Sequence, residues 1–297
     1  MIRCPACTKS ASDFIQLDSA RLERFLEFST LIYDGLLHSY LDVVKPELMK
    51  CDHCRHVFFK QMPSDKLLSE MYNFKRDYRK DPGRPPSLVM IRTMEKCFRI
   101  IGKQNPVMLD YGSGHGRWSV AAAKAGFKVF AYEPHAERTI LSDDYKLVTD
   151  EKFLVDVQFD FIWCEQVLEH VKDPGEIMEN IRKYTGEKTI VRVSVPNVDR
   201  SKEGSNIWKD WPYDGLGGNH TVAPYQHLQG YNQESLQKLV HRSGFKTLNS
   251  LRFNLMLPFY RLRILVGKVF RSLSSTTVYL SADAIQDSAN YTSRTHH

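Results

Sequence analysis

The run Asp110-Tyr111-Gly112-Ser113-Gly114-His115-Gly116 limits what this chain can become more than any other stretch of it. It follows the apolar run Val107-Met108-Leu109 and precedes the alanine-rich segment 117–125, so it reads as a turn between a buried strand and a helix. Gly126 stops that helix, where a left-handed cap is expected. Glycines in the turn leave the backbone bare, and the helix start offers N–H groups and the positive end of its dipole. In an open α/β sheet, nucleotides bind at this carboxyl end of the first strand. The spacing here is G-x-G-x-G, not the G-x-G-x-x-G that seats a pyrophosphate, and Asp110 stands beside it. A carboxylate in that place repels a pyrophosphate and suits a ligand carrying positive charge. The next strand, Lys128-Val129-Phe130-Ala131-Tyr132, ends at Glu133, 17 positions after Gly116, where a carboxylate can accept both hydroxyls of a ribose.

The alternation continues. Residues 159–164 read as a strand, and Asp173-Pro174 starts a helix that Gly186 is expected to stop. Residues 189–195 form the next strand, ended by Pro196. Asn232 caps a helix over 232–243 that Gly244 stops, before a strand at 245–251. Strand and helix patterns alternating from 107 to about 253 imply a parallel α/β sheet. A short β-like run follows at 276–280.

With these elements in this order, the chain resembles the class I S-adenosylmethionine-dependent methyltransferases. The resemblance rests on the glycine loop, on Glu133, on the segment Cys164-Glu165-Gln166-Val167-Leu168-Glu169-His170, on Val195-Pro196-Asn197, and on His227, Ser235-Leu236 and Gly244-Phe245. It implies a Rossmann-like α/β sheet with helices on both faces, and S-adenosyl-L-methionine as methyl donor. By resemblance, Gly112, Gly114 and Gly116 pack against the donor and Asp110 orders its methionine end. Glu133 holds the ribose, Asp150 approaches the adenine amino group, and Glu165 and Gln166 line the methionine side. The stretch between Glu133 and Asp150 is shorter than is usual.

Cys4-Pro5-Ala6-Cys7 and Cys51-Asp52-His53-Cys54 are two C-x-x-C knuckles. Together they can fill the four corners of a closed structural Zn2+ site, which leaves no open position for chemistry. The 43 residues between the knuckles must loop out as an insertion. Cys97 and Cys164 fall in apolar patterns and are expected in the core. The second knuckle followed by His56-Val57-Phe58-Phe59, Pro63 and a helix ending in Met71-Tyr72 is similar to bacterial methyltransferases that act on sugar nucleotides and other small metabolites. The expected organisation is a zinc-binding module at 1–60, a helical linker or lid at 61–105, the methyltransferase domain at 106–285 and a disordered tail at 286–297.

Composition narrows the partners. With 42% hydrophobic and 26% charged residues this is an ordinary globular composition. The N-terminus lacks the basic-then-apolar plan of a signal peptide, so a cytoplasmic location with reduced thiols is expected. The net charge is +6, yet the stretch from Ser235 to Ala282 has no acid and holds Lys238, Arg242, Lys246, Arg252, Arg261, Arg263, Lys268 and Arg271. That asymmetry implies an anionic neighbour, whether a phosphorylated substrate, acidic lipid headgroups or nucleic acid, with a solvated basic face as the alternative; an anionic small-molecule acceptor is the expected partner. Residues 259–273 form a basic amphipathic helix pattern that packs on the sheet or touches a membrane surface peripherally. Nothing in the sequence sets the oligomeric state.

Methyl transfer needs alignment and, for a hydroxyl or acidic carbon, a base. The candidates are His170, His220 and His227, all expected past strand ends on the donor side. The segment Trp208-Lys209-Asp210-Trp211-Pro212-Tyr213 can wall the acceptor, with Tyr72 and Tyr78 as a lid. O- or C-methylation of a sugar-derived or anionic metabolite is the expected activity. A nucleic-acid methyltransferase is disfavoured, because Cys164-Glu165-Gln166-Val167 stands where base chemistry would want an Asn-Pro-Pro-Tyr-like tetrapeptide. The remaining alternative is a non-catalytic docking protein of the same fold.

Overall fold

Two hairpins carry the cysteine knuckles in their turns. Strands β1 (Ile2–Arg3) and β2 (Ser10–Ala11) flank Cys4 and Cys7, while β4 (Leu48–Lys50) and β5 (Val57–Phe59) flank Cys51 and Cys54. Between them lie β3 (Asp13–Ile15), which pairs antiparallel with β4, and helix α1 (Ser19–Tyr33). The Asp18 side chain caps α1 by accepting from the Arg21 N–H. The structure is a computed structural model. It describes residues 2–15, 18–41, 46–73, 84–135, 141–200, 221–222, 225–248 and 275–282.

Helices α2 (Asp65–Asn73) and α3 (Leu88–Ile101) follow, the second held between Ser87 at its start and left-handed Gly102 at its end. Then the alternation begins: β6 (Val107–Tyr111), α4 (Arg117–Lys124), β7 (Lys128–Tyr132), β8 (Lys146–Val148), β9 (Phe159–Glu165), α5 (Pro174–Lys183), β10 (Thr185–Pro196), β11 (Gln229–Gly230), α6 (Gln233–Arg242), β12 (Phe245–Thr247) and β13 (Ser275–Ala282). Among the described residues seven strands form one sheet in the order β12-β13-β10-β9-β6-β7-β8. From β10 to β8 every neighbour is parallel, and β13 runs antiparallel between β10 and β12.

Period-two alternation buries both faces. One face presents Leu109, Phe130, Ile162, Cys164, Val191 and Val193 to Met178 and Ile181 of α5 and to Leu236, Leu239 and Val240 of α6. The other presents Met108, Val129, Ala131, Phe161 and Trp163 to Met94 and Cys97 of α3 and to Ala121 and Ala122 of α4. The two cysteines expected in the core, Cys97 and Cys164, are buried there.

The sequence expectation differs at three places. Helix α5 ends before Gly186, and β10 starts at Thr185, because Thr185 pairs with Phe159 across a register shift ahead of Ile190. The strand expected at 245–251 is described over Phe245–Thr247 only, with 249–251 outside the described residues. The run at 276–280 extends to Ser275–Ala282 and is the antiparallel member of the sheet.

The knuckle region and the large sheet are joined by backbone. Strand β11, from the far end of the chain, pairs antiparallel with β5, so the smaller sheet reads β11-β5-β4-β3. Along β4 and β5 the side chains alternate between cores: Met49 and Phe58 join the core that contains Leu109 and Val193, while Leu48, Val57 and Phe59 pack with Phe25, Leu67, Tyr225 and Leu228. Three side-chain contacts reinforce the joint. Asn232 Nδ2 donates to the Cys54 carbonyl at 3.1 Å, Arg242 donates to the Pro5 carbonyl at 2.8 Å, and His56 Nε2 lies 2.9 Å from Gln229 Oε1. No helix among the described residues is long and apolar enough to cross a membrane.

Candidate functional site

At the carboxyl edge of the sheet, the loop between β6 and α4 is tied to the end of β7. The Gly112 and Ser113 N–H groups both donate to the Tyr132 carbonyl at 2.9 Å. The Gly114 N–H donates to Glu133 Oε2 at 2.9 Å, and the His135 N–H donates to Glu133 Oε1 at 3.2 Å. Glu133 is 5% exposed and still has acceptor capacity, since a carboxylate offers about four lone-pair sites. Ahead of the loop, at the end of β6, Asp110 Oδ2 accepts from the Ser119 hydroxyl at 2.6 Å. Burial pushes the Asp110 carboxyl up to about 7; the Ser119 hydrogen bond opposes that rise, and the charges of Glu165 and Glu133 add to it. The Ser113 hydroxyl is buried with no hydrogen-bond partner among the described residues.

All three loop glycines have positive φ, but they differ in what surrounds them. A Cβ on Gly112 would meet Val167 Cγ2 at 2.6 Å, and one on Gly116 would collide with the Tyr145 hydroxyl. A Cβ on Gly114 would have nothing within 4 Å. Gly112 and Gly116 thus serve packing, whereas Gly114 borders open space beside Glu133, the kind of cradle a nucleoside can enter. Gly116→Ala is accordingly expected to cost about 1–3 kcal/mol for overpacking in addition to about 1–2 kcal/mol for its left-handed backbone angle. Gly114→Ala should cost only the strain of its backbone angle, about 1–2 kcal/mol, while weakening donor binding more than Gly116→Ala does. Thermal melts and titration calorimetry on both variants check this; equal binding losses would remove the distinction.

The other candidates fall as follows. Glu165, at the end of β9, is ion-paired with Arg192, whose guanidinium lies 3.7 Å from the Trp163 ring centroid. Gln166 has φ 57° and its N–H donates to the Ser194 carbonyl at 2.8 Å. Asp150 caps the short helical turn Glu151–Leu154, accepting from the Lys152 N–H at 3.0 Å and pairing with its ammonium at 2.6 Å. His170 and His227 meet edge to face with centroids 4.6 Å apart. His220, Tyr78, the segment 208–213, the pattern at 259–273 and the tail at 286–297 lie outside the described residues, as does the Tyr72 side chain.

The knuckles converge. Cys4 Sγ lies 3.6 Å from Cys54 Sγ, Cys7 Sγ lies 3.5 Å from Cys51 Sγ, and all four sulfurs are within 4.8 Å of one another. A tetrahedron with arms of about 2.3 Å has edges of about 3.8 Å, so the spacing fits a zinc–tetrathiolate and is far too long for disulfides. The Cys54 hydrogen bond pulls the Cys4 thiol down to about 5, while burial pushes Cys51 up to about 11. Without a cation the buried sulfurs cannot all ionise together.

Two features escaped the sequence reading. Glu169 is fully buried, and among the described residues neither of its carboxylate oxygens has a hydrogen-bond partner. Its isolation within Val167-Leu168-Glu169-His170-Val171 was the available signal, an acid inside an apolar run. The Arg192–Glu165 pair carried no such signal, because its partners come from different strands.

The sheet order, a parallel core with one antiparallel strand inserted before the last, together with a glycine loop flanked by acids, defines the Rossmann-like class I methyltransferase architecture. Residues 86–250 match the methyltransferase domain family. The chain belongs to that family. It is 36% identical over 104 residues to a ubiquinone biosynthesis O-methyltransferase of Actinobacillus pleuropneumoniae serotype 7, a match covering 30% of this chain and 43% of that protein. A serotype 5b counterpart matches to the same extent. The match therefore spans less than half the length of these curated relatives. Among solved structures, the Burkholderia thailandensis 1,6-didemethyltoxoflavin-N1-methyltransferase with bound S-adenosylhomocysteine superposes with a TM-score of 0.47 at 16% identity, covering 78% of this chain and 98% of that one. The plantazolicin methyltransferase gives 0.47 at 14% identity, covering 89% and 100%.

Proposed function

We propose that this protein transfers a methyl group from S-adenosylmethionine to an oxygen or carbon of a small, anionic or sugar-derived metabolite, and that zinc on Cys4, Cys7, Cys51 and Cys54 holds its fold. The single observation behind the first part is that two buried carboxylates hold the glycine loop and the helix after it, Glu133 through the Gly114 N–H and Asp110 through the Ser119 hydroxyl, while the Cβ position of Gly114 faces open space. S-adenosylmethionine supplies an electrophilic methyl on a positively charged sulfur. In this reading Glu133 accepts the ribose hydroxyls, and ionised Asp110 receives the ammonium of the methionine moiety. The main chain at Gly114 lies against the nucleoside, and Gln166 and Glu165 line the methionine side. Asp150 serves the adenine edge. The candidate bases for the acceptor's proton are His220, His227 and His170. The acid-free stretch after Ser235 supports an anionic acceptor.

Asp110 makes this testable through pH. Its folded-state value of about 7 lies above the unfolded reference of about 3.9. Its contribution to the stability of the unliganded protein is thus present at low pH and lost as pH rises from about 4 through about 7. Donor binding runs the other way, because an ammonium prefers the ionised carboxylate. Below about pH 7 binding must expel one proton, so affinity should fall about tenfold per pH unit, with a plateau above. Titration calorimetry of the full chain with S-adenosylmethionine between pH 5 and pH 8.5 measures this. Asp110→Asn should bind weakly with no such slope. Folded protein that binds no S-adenosylmethionine at any pH ends the proposal.

A further inference from the structure

We infer that Glu169, His170 and His227 form a second, open metal site, for a divalent transition metal, on the acceptor side of the sheet's carboxyl edge. One ligand atom from each of the three lies within 4.8 Å of the other two. Glu169 is 0% exposed, and its carboxylate receives no hydrogen bond among the described residues. A buried, unpaired carboxylate is costly, and a cation is one of the few partners that removes the cost. His170 Nδ1 lies 2.7 Å from the Gln226 carbonyl oxygen. A carbonyl only accepts, so Nδ1 carries a proton, and in the neutral ring Nε2 is the ligating nitrogen. This is how a backbone carbonyl fixes a metal-binding imidazole. The same segment brings His227 edge to face against His170.

The two segments are clamped. The N–H groups of Leu228 and Gln229 donate to the Glu169 carbonyl at 2.6 and 3.1 Å, and Gln229 Nε2 donates to the carbonyls of Val171 and Lys172 at 3.2 Å. Val167, three residues before His170, is the residue a Cβ on Gly112 would strike, so the cluster adjoins the glycine loop. Two imidazoles and a carboxylate suit zinc, manganese, cobalt or iron rather than magnesium or calcium, which prefer all-oxygen shells. Three protein ligands leave positions open, unlike the closed set of four thiolates.

What the ion would do there rests on the methyl-transfer reading. An acceptor hydroxyl bound to it loses its proton to solvent near neutral pH. The oxygen lone pair then forms the new O–C bond as the S–C bond breaks, and neutral S-adenosylhomocysteine departs. The substrate class narrows to an oxygen acceptor able to bind a metal.

Manganese uptake tests the site separately from the thiolates, which favour softer ions. Full-length protein with its thiol zinc retained is titrated with Mn2+, and the free ion is followed by electron paramagnetic resonance. Wild type is expected to take up about one Mn2+ per chain, displaced by Co2+ or Zn2+. Glu169→Gln, His170→Ala and His227→Ala should each weaken uptake at least about tenfold. Glu169→Gln keeps the shape of the side chain, and its unchanged melt guards against misfolding. Wild type that binds no ion beyond the thiol zinc, or variants that bind as well as wild type, overturn the site. S-adenosylmethionine binding measured on the same samples keeps the two readings apart: its absence alongside intact Mn2+ uptake counts against methyl transfer alone.

Discussion

Glu133→Ala is expected to weaken S-adenosylmethionine binding by about a hundredfold to ten-thousandfold. Two hydrogen bonds from ribose hydroxyls to a carboxylate contribute about 1.5–3 kcal/mol each, and a factor of ten in affinity is about 1.4 kcal/mol. The same substitution also strips the Gly114 and His135 N–H groups of their acceptor, so the loop loses an anchor as well as a ligand contact. That loss should lower stability by about 1–3 kcal/mol without unfolding the protein. Glu133→Gln separates the two effects, since its amide oxygen can still accept from one N–H. Calorimetric titration and a thermal melt on both variants give the answer. Wild-type affinity in Glu133→Ala would show that the ribose lies elsewhere.

The second large effect concerns the zinc proposed for Cys4, Cys7, Cys51 and Cys54. Elemental analysis should find about one zinc per chain held by the four thiolates. Stripping that zinc, or introducing Cys54→Ser, is expected to lower the melting temperature by on the order of 10 °C or more. Structural zinc in small modules contributes about 10–16 kcal/mol, as much as the whole stability of many domains. The damage should not stay local. Cys4, Cys51 and Cys54 belong to the same buried core as Leu109, Ile162 and Val193 of the large sheet. Melting should therefore remain a single transition that shifts as a whole. Protein that is metal-free yet fully folded would refute the zinc assignment.

How much of this was legible beforehand depended on distance along the chain. The glycine loop, the acid at the end of β7 and the Asn232 cap are local signals, and each stands where its pattern put it. Both faces of the sheet were readable too, because strand periodicity is local. Two residues apart, side chains share a face. What could not be read were partnerships between distant segments. Nothing within residues 276–280 says that the strand inserts antiparallel beside β10. Gln229 and His56 are 173 positions apart, and neither is unusual alone. The helix stop expected at Gly186 misplaced the boundary because β9 captures Thr185 first, a tertiary pairing outweighing a local preference. Glu169 was visible as an odd acid in an apolar run, but its lack of any partner needed three dimensions.

The pairing of β11 with β5 has a practical corollary. An engineer who trimmed the first sixty residues as a detachable tag would strip β11 of its neighbour and bare its edge hydrogen bonds to water. Gln229 would lose His56, and with it one of the supports under the turn that carries His170 and Val171. Modular swapping of this knuckle region between related enzymes would thus require transplanting residues 225–232 along with it.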